Sequence, residues 1–402
     1  MKVTVLLGIT GGIAAYKAPL LVRLMVSAGL DVHVVMTRAA TQFVTPLTLS
    51  TLSGNRVWDN LWTDQYQPSV EHISMADKAD VAVIAPATAN MIGKIASGIA
   101  DDMLTTVFMA LNCPVLVCPS MNVNMYRNPA VQANLLRLKE FGYHIMEPES
   151  GYLACGWTGE GRLPEPEAIF ERIEHLIATH DFEGLKVVVT AGPTEEPIDP
   201  VRFLTNRSSG KMGVALARRA ALRGAEVTMI AGPLKTEPPQ GVRHIPVRTA
   251  QEMFERVMEV FPRVDIVIKA AAVADFRPAS RTDDKVKKND FGSSVSLVQN
   301  PDILLTLGHI KRNDQIVVGF AAETRDAVSN AREKLNRKNA DMLVLNDVSL
   351  PGAGFDCDTN LVRFLYRSGE DEQMDLMSKD AVADEVLNRI KKLRKDVLTG
   401  AQ

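Results

Sequence analysis

The sequence predicts an α/β protein of two domains, because one opening pattern occurs twice in a chain of 402 residues. Val3–Leu7 is a short apolar run, a glycine turn follows at Gly8–Gly12, and a helical stretch comes next. Further along the chain the pattern returns, with a strand at Val187–Thr190 and a helix from about Ser209 to Arg223. Each opening is typical of a mainly parallel sheet, and the length exceeds the roughly 250–300 residues at which one core stops growing.

Glycines and apolar runs define the remaining elements. Gly29 and Gly224 follow the two predicted helices and suit the left-handed position that ends a helix. We place the domain boundary after residue 182, just beyond a helical segment at Glu167–Thr179, giving domains 1–182 and 183–402. Continuous apolar runs predict further strands covered on both faces; they lie at Val32–Met36, Asp80–Ala85, Val115–Cys118, Val227–Ile230, Asp265–Ala270, Ile316–Gly319 and Met342–Leu345.

Composition and charge exclude several classes of protein. Hydrophobic residues make up 46% and charged residues 23% of the chain, which excludes a largely disordered protein. The net charge of −3 gives no general attraction to nucleic acid or to an acidic membrane. The four cysteines lack the spacing of a disulfide framework or a zinc site, and prolines and asparagines interrupt the uncharged stretch Met103–Tyr126. We therefore expect a soluble cytoplasmic protein without a nucleic-acid or membrane partner.

In the first half, small and polar residues follow predicted strands at their carboxyl ends, where open α/β sheets bind ligands. Gly8–Ile13 (GITGGI) leads into a helix and favours an anion, although a tight turn that needs small residues explains it equally well. Ala85–Asn90 (APATAN) follows another strand, and the two clusters together favour a cofactor that carries a phosphate. In Pro119–Asn122 (PSMN), Asn122 could bind a carboxylate or close an Asx turn.

Two further residues of the first half are candidates for chemistry. His72 lies near the start of a predicted short helix, where a lone histidine is more often a surface or capping residue than a catalytic one. Cys155 lies in the glycine-rich stretch Gly151–Gly161, whose composition suits a mobile lid that brings a thiol to the substrate on closing. Cys113 and Cys118 have apolar neighbours and are predicted to be core residues.

In the second half, a long polar loop, Ala191–Gly213, ends where a helix begins. Ser208 and Ser209 are predicted to cap that helix. The Gly-Lys pair at Lys211 resembles part of a P-loop, but Met212 replaces the required Ser or Thr, so this interpretation fails. A phosphate at the helix start and a loop that only caps the helix both remain open.

Lysine-bearing segments suggest an anionic ligand in the same half. Lys269–Asp275 ends an apolar strand with a carboxylate, where a metal or a ligand hydroxyl could bind. Lys285–Lys288 is a short basic cluster, which is more often a solvated loop than a binding site. Lys334 and Lys338 share a helix face, where their charges repel unless an anion lies between them. Together these segments point to a polyanion such as a nucleoside triphosphate.

The motifs also carry a family resemblance. GITGGIAAYK, the His72 segment, APATAN, PSMN and the ACG of Cys155 occur in this order, and together they resemble the flavin-dependent cysteine decarboxylases, specifically phosphopantothenoylcysteine decarboxylase. The second half resembles phosphopantothenate–cysteine ligase, so the chain is similar to the bifunctional family of coenzyme A biosynthesis that fuses both enzymes. Ser120 stands where that family's motif has alanine, a small change that leaves the expected activity intact.

For the first half, the resemblance implies a flavodoxin-like, doubly wound parallel sheet that binds FMN. FMN would oxidise the thiol of phosphopantothenoylcysteine, and the resulting C=S group would accept the electrons of the breaking carbon–carbon bond. His72 would be the base or orienting group, Asn122 would bind the substrate carboxylate, and Cys155 would protonate the enethiolate. The implied FMN contacts are Gly11, Gly12, Ile13, Thr37, Arg38, Ala39, Thr88, Ala89, Asn90, Met91 and Ser120.

For the second half, the resemblance implies a Rossmann-like α/β domain that uses CTP and Mg²⁺. The 4′-phosphopantothenate would be activated as an acyl-cytidylate, and the amine of cysteine would then displace CMP. Asn206 would hold this intermediate, Lys285 would support its conversion, and Asp275 would bind the metal. The implied CTP contacts are Lys269, Ala270, Ala271, Asp275, Lys285, Pro301, Asp302, Ile303, Leu304, Phe320, Lys334 and Lys338.

Two other functions fit the sequence less well than this pair of activities. A regulatory protein that holds FMN without turnover would not need both His72 and Cys155. A dehydrogenase with two nicotinamide-binding halves would need the spaced glycine fingerprint and a following acidic residue, which are missing. The resemblance further implies trimers of decarboxylase halves and dimers of ligase halves, hence a homo-oligomer, with a dodecamer as the combination.

Overall fold

A computed structural model describes residues 2–61, 71–152, 156–285, 294–323, 326–347, 357 and 359–399. The chain forms two compact units, Met1–Ala178 and Thr179–Gln402. Each unit contains a mainly parallel sheet with helices on both faces. The predicted fold class, two doubly wound α/β domains, is therefore confirmed.

The first unit has a six-stranded parallel sheet in the order β3-β2-β1-β4-β5-β6 and a separate antiparallel hairpin, β7–β8. The strands are β1 Thr4–Ile9, β2 Asp31–Met36, β3 Val57–Trp58, β4 Val81–Ala87, β5 Val115–Pro119, β6 His144–Ile145, β7 Glu149–Tyr152 and β8 Thr158–Arg162. The helices are α1 Ala18–Ser27, α2 Pro46–Ser53, α3 Glu71–Lys78, α4 Ala89–Ala96, α5 Met103–Met109, α6 Val123–Tyr126, α7 Pro129–Glu140 and α8 Pro166–Ile177.

Strand β1 organises this sheet because its side chains enter two cores in alternation. Leu7 packs in one core with Val22 of α1 and Ile173 of α8. Leu6, one residue earlier, points to the opposite face and packs with Leu104 of α5. The chain winds outward in both directions from β1, through β2 on one side and β4 on the other. The carboxyl ends of β1 and β4 therefore flank the crevice where sheets of this kind bind ligands.

The first helix differs in detail from its prediction. The chain leaves β1 through a 3-10 helix at Ile13–Lys17, and only then does α1 begin. The end of α1 follows the prediction, because Gly29 comes directly after the last helical residues with φ of +84°. Gly224 has the same role at the end of the corresponding helix of the second unit, with φ of +90°. Both predicted helix ends are confirmed.

The second unit has an eight-stranded sheet in the order β13-β12-β9-β14-β17-β18-β20-β21, in which only β20 runs against the direction of the other strands. The strands are β9 Lys186–Ala191, β10 Glu195–Pro197, β11 Phe203–Thr205, β12 Glu226–Ala231, β13 Arg243–Pro246, β14 Ile266–Lys269, β15 Phe276–Pro278, β16 Leu297–Gln299, β17 Ile316–Glu323, β18 Met342–Asp347, β19 Thr359–Asn360, β20 Val362–Tyr366, β21 Asp371–Gln373 and β22 Met377–Ser378. The helices are α9 Lys211–Leu222, α10 Ala250–Val260, α11 Ile303–Ile310, α12 Ala327–Arg337 and α13 Lys379–Thr399.

Helices cover the two faces of this sheet in separate groups. Helices α9 and α13 pack on one face, where Val382 and Val386 of α13 are fully buried. Helices α10, α11 and α12 cover the other face. Strands β10–β11, β15–β16 and β19–β22 form small antiparallel pairs outside the main sheet. Among the helices of both units that the structure describes, none combines the length and hydropathy needed to cross a membrane.

The segment between the units packs with the second one. Phe182 is 1% exposed and belongs to the core under α9 and α13. Asp181 accepts hydrogen bonds from Arg223 at 2.7 Å and from Lys391 at 2.9 Å. The bond from Arg223 is the main cause of the lowered pKa of Asp181. The predicted boundary after residue 182 thus lies slightly beyond the point where these contacts begin.

Candidate active sites

In the first unit, one buried hydroxyl joins the two loops that were predicted to form a site. The side chain of Thr10 donates to the carbonyl oxygen of Pro86 at 2.7 Å and accepts from the backbone N–H of Thr88 at 3.1 Å. Thr10 is 1% exposed, so water does not compete for these bonds. The GITGGI and APATAN loops are consequently held side by side at the carboxyl ends of β1 and β4.

A third loop reaches this edge through a close backbone approach. A Cβ added to Gly11 would lie 2.3 Å from the Cβ of Ala39, a distance that no side chain at this position tolerates. The loop after β2 is itself closed by a hydrogen bond from the N–H of Ala40 to the hydroxyl of Thr37 at 3.2 Å. Glycine at position 11 is therefore required for the loops after β1 and β2 to meet.

Helix α4 begins at the same edge. The hydroxyl of Thr88 accepts from the N–H of Met91, and Ser120 at the end of β5 donates its N–H to the carbonyl oxygen of Ala87 at 3.0 Å. The structure thus brings the predicted cofactor residues of the four loops together, listed in chain order as Gly11, Gly12, Ile13, Thr37, Arg38, Ala39, Thr88, Ala89, Asn90 and Ser120. Met91 differs from them, because its side chain is 1% exposed and packs in the core.

The predicted catalytic residues of the first unit have different environments. His72 is half-buried in the first turn of α3, where the prediction placed it. The side chain of Asn122 caps α6 by accepting from the N–H of Asn124 at 2.8 Å, which is the Asx turn considered from the sequence. Cys155 lies outside the described residues. The hairpin on either side of it is joined to the Asn122 loop, because Met121 donates its N–H to Gly161 at 3.0 Å.

The second unit contains a cavity of about 860 Å³ at the carboxyl edge of its sheet. Asn206 and ten of the predicted CTP residues line it: Lys269, Ala270, Ala271, Asp275, Pro301, Asp302, Ile303, Phe320, Lys334 and Lys338. Leu304 lies beneath the cavity wall in the core and is 1% exposed. Lys285 is exposed and is not part of the cavity lining.

Positive charge is concentrated at one side of this cavity. Burial, together with the charges of Lys334 and Lys338, lowers the pKa of Lys269 to about 8. Burial disfavours the charged form of Asp302, but the ion pair with Lys338, 2.8 Å away, outweighs it and lowers the pKa of this carboxyl group. Lys269, Lys334 and Lys338 together bring positive charge to this side of the cavity, which suits a polyanionic ligand.

Asn206 links the long polar loop to the loop after β14. Its amide group donates to the carbonyl oxygens of Ala272 at 3.4 Å and of Val273 at 3.1 Å. Asp275, at the end of the latter loop, is exposed toward the cavity. Within the described ranges, no three His, Cys, Asp or Glu side chains gather as a metal site would require. Asp275 is thus one of three acidic residues that line the cavity, together with Asp302 and Glu333.

The helix start after the polar loop differs from the prediction. Gly210, with φ of +77°, is the N-cap residue of α9, and no side chain caps that helix. The predicted caps Ser208 and Ser209 are therefore wrong. Ser208 accepts a hydrogen bond from the N–H of Gly210 at 3.3 Å and closes the loop before the helix. The left-handed backbone at Gly210 sets the start of the helix, which side-chain preferences alone did not reveal.

Several cavity residues were not identified from the sequence. Lys211 and Arg207 both line the cavity, although the pattern around Lys211 suggested only a P-loop. Asn346, Asn360 and Lys379 come from β18, β19 and the start of α13. These three residues share no local motif. They come from different elements, and only the folded chain brings them to one cavity.

Comparison with known proteins gives one family match in each half of the chain. Residues 1–178 match the family model described as flavoprotein, and residues 182–393 match the one described as DNA/pantothenate metabolism flavoprotein C-terminal domain. The coenzyme A biosynthesis bifunctional protein CoaBC of Bacillus subtilis (strain 168) is 49% identical over 395 residues, which are 97% of each chain. The chain belongs to this bifunctional family. The predicted family and its two activities, phosphopantothenoylcysteine decarboxylase and phosphopantothenate–cysteine ligase, are confirmed.

Other known proteins are similar to this chain over most of their own length. The CoaBC protein of Escherichia coli (strain K12) is 42% identical over 96% of both chains. A cysteine/cysteine sulfinic acid decarboxylase of an unknown prokaryotic organism is 44% identical over 86% of this chain and 98% of its own. The crystal structure of a CoaBC C-terminal domain, 40% identical, covers 54% of this chain and 100% of its own with a TM-score of 0.47.

Proposed function

We propose that the second unit joins cysteine to 4′-phosphopantothenate with CTP and Mg²⁺, and that the first unit then decarboxylates the product with FMN. One observation carries this proposal: a single chain has an edge of small and polar residues in one unit and a lysine-rich cavity in the other. The first edge suits a flavin phosphate, and the second suits a triphosphate.

The FMN site is proposed at the four loops of the first unit. A phosphate would bind near Gly12 at the start of the 3-10 helix, where an added Cβ would meet only Thr88 at 3.6 Å, and the N–H groups at the start of α4 are a second favourable position for negative charge. Ile13, 60% exposed, and the loop 37–39 would border the ring system. When bound, FMN withdraws two electrons from the substrate thiol and later returns them.

The chain's own residues would bind the substrate and move protons. We assign His72 as the group that accepts or positions the thiol proton, because its imidazole is half-buried and so remains within reach of a ligand. Asn122 would bind the substrate carboxylate through its amide N–H₂ group, since its carbonyl oxygen is already used to cap α6. Cys155, beyond the described residues, would donate the proton that completes the product.

For the ligase, Lys269, Lys334 and Lys338 would offset the charge of the CTP phosphates. Asp275 would bind Mg²⁺ together with phosphate oxygens, because Mg²⁺ commonly takes one or two carboxylates and completes its shell with phosphates and water. Asn206 would hold the acyl-cytidylate beside the loop after β14, to which it is hydrogen-bonded. Lys285 would have to approach from outside the cavity lining to act on this intermediate.

We further propose that the protein is a homo-oligomer. Ile13, Tyr16, Leu20 and Leu47 are 54–75% exposed and lie on or near α1 and α2. This amount of exposed apolar surface in one region suits a contact between copies of the chain. A contact there would lie beside the proposed FMN site, and a dodecamer would combine trimers of the first unit with dimers of the second.

The test is to incubate the purified protein with 4′-phosphopantothenate, cysteine, CTP and Mg²⁺ and to follow pyrophosphate and CO₂ separately. His72→Asn is expected to keep bound flavin and pyrophosphate release but to lower CO₂ release by about 100-fold or more. His144→Asn, on β6 and outside the proposed site, is the matched control and should leave both rates unchanged.

Two outcomes would contradict the assignment. Normal bleaching of the flavin by phosphopantothenoylcysteine in His72→Asn would remove this residue from the reaction. Faster CO₂ release from free cysteine than from phosphopantothenoylcysteine would favour the activity named for the relative from the unknown prokaryote. A colourless protein that binds no added FMN would overturn the proposed cofactor.

A further inference from the structure

The cavity of the second unit has two chemically different sides. The lysine side, formed by Lys334 and Lys338 of α12, belongs to the face of the sheet covered by α11 and α12. The amide side, formed by Met212 of α9 and Asn360 of β19, belongs to the face covered by α9 and α13. Phe320 lies between them on β17 and packs partly against the second of these cores. The two sides suit different parts of one ligand.

Asn360 is held rigidly on the amide side. It is 4% exposed, and β19 is paired with β22 so that Asn360 lies opposite Met377. Lys379, the next cavity residue after β22, donates to the carbonyl oxygen of Cys357 and so holds the chain on the other side of this short strand. The position of the Asn360 carboxamide is thus set by two elements that also belong to the core of the unit.

The hydrogen bonding of this carboxamide is incomplete. Its N–H₂ group donates to the thioether sulfur of Met212 at 3.6 Å, and thioethers are weak acceptors. Its Oδ1 atom is buried and has no hydrogen-bond partner among the residues that the structure describes. Buried side-chain oxygens in proteins nearly always have a partner, so an exception on a cavity wall points to a ligand.

The sulfur of Met212 also determines which way the carboxamide is turned. A thioether accepts hydrogen bonds but has no hydrogen to donate. If the carboxamide turned over, its oxygen would face the sulfur, and two acceptors would meet. The favoured orientation therefore directs the N–H₂ group to Met212 and leaves the oxygen for a donor on the ligand.

We propose that Asn360 selects the nucleotide by accepting a hydrogen bond from the 4-amino group of cytosine. This inference rests on the proposed function, in which CTP fills the cavity. The triphosphate would lie toward the lysine side and the base toward the amide side, next to Phe320. UTP carries an oxygen in place of the 4-amino group, so two acceptors would face each other and UTP would be rejected.

The experiment compares kcat/KM of pyrophosphate release for CTP and UTP in the full-length protein. The wild type is expected to prefer CTP. Asn360→Leu, which has a similar volume and no acceptor, should lower the CTP/UTP ratio by about ten- to 100-fold. Asn360→Asp keeps an acceptor and should keep a preference for CTP. Met212→Leu should lower the ratio less, because the carboxamide can then turn and donate to the 4-oxo group of UTP.

Controls separate recognition from folding. Asn336→Leu, at an exposed position of α12 that does not line the cavity, should leave the ratio unchanged. The melting temperature of Asn360→Leu without nucleotide should not fall, since the change removes a buried acceptor that lacks a partner. A purely structural role would lower the melting temperature and would affect both nucleotides equally.

The possible failures are distinct. If the wild type releases pyrophosphate from neither nucleotide, the proposed function is wrong and this inference with it. If the wild type prefers CTP and Asn360→Leu keeps the full preference, only the role of Asn360 is overturned. If Asn360→Leu instead changes the ratio of CTP to 2′-deoxyCTP, the acceptor binds the ribose and not the base, which also overturns the proposal.

Discussion

The two units use the same central strand order but build different edges. In the first, β3-β2-β1-β4-β5 are arranged as β13-β12-β9-β14-β17 are in the second. At the first edge, loops are drawn together by the buried hydroxyl of Thr10 and by the contact of Gly11 with Ala39. At the second, Lys269 and its lysine neighbours line an open cavity.

This contrast indicates that the scaffold determines where a ligand binds, and that the loops determine which ligand it is. Both sheets change winding direction beside their first strand, so both have a crevice at the same topological position. Close approach of small residues makes a narrow cradle in the first unit. Accumulated positive charge makes a polyanion site in the second. Function therefore follows from the residues at the edge and not from the fold.

The largest effect is expected from Gly11→Val, which disrupts the proposed FMN site of the first unit and leaves the second unit unchanged. The added side chain cannot coexist with Ala39, so the loops after β1 and β2 must separate. Flavin content and decarboxylase activity should fall by about 100-fold or more, while pyrophosphate release stays within about twofold of the wild type. The measurement is the visible absorbance of the purified protein together with both rates.

A matched control is Gly93→Ala in α4, where an added Cβ would lie 3.7 Å from the side chain of Asn134, an ordinary contact. It should keep flavin. Equal loss of ligase activity in Gly11→Val would show that the two edges are not independent.

A smaller effect concerns the independence of the two units as folded bodies. A fragment that begins at Thr179 keeps Asp181 and Phe182, whereas one that begins at Glu183 loses a fully buried aromatic ring and the carboxylate that pairs with Arg223. The shorter fragment should be less stable by about 3–5 kcal/mol. Urea unfolding of both fragments measures this difference. Equal stability would mean that Phe182 contributes nothing to the second core.

The smallest effect is the pH dependence that the charged edge should impose on CTP binding. The pKa of Lys269 is about 8, so its charge is present below this pH and is lost as the pH rises through it. CTP affinity should therefore be highest below pH 8 and fall about three- to tenfold by pH 9.5. Calorimetric titration with CTP measures it directly.

Lys334→Gln sharpens this result, because removing a positive neighbour raises the pKa of Lys269 and should move the decline to higher pH. An affinity for CTP that does not vary between pH 7 and 9.5 would show that the charge of Lys269 plays no part in binding.

Much of the fold was predictable because its signals are local. The buried strands were visible as apolar runs, and Gly29 marked the end of α1. The start of α9 was not predictable from its serines, since the backbone of Gly210 sets it. Helix α13 contributes Val382 and Val386 to the core. Burial of a whole helix face depends on which element packs against it, and a single segment does not contain that information.

Short-range chemistry was thus readable from neighbouring residues alone: alternation of apolar side chains, glycines where the backbone turns, and motifs whose members lie a few positions apart. The packing of the chain, in contrast, decides which distant residues share a cavity. Asn360 and Met212 are 148 positions apart and meet because β19 and α9 converge on one edge of the sheet. Contacts of this kind arise when elements from separate parts of the chain bury a common core, and no local pattern records them.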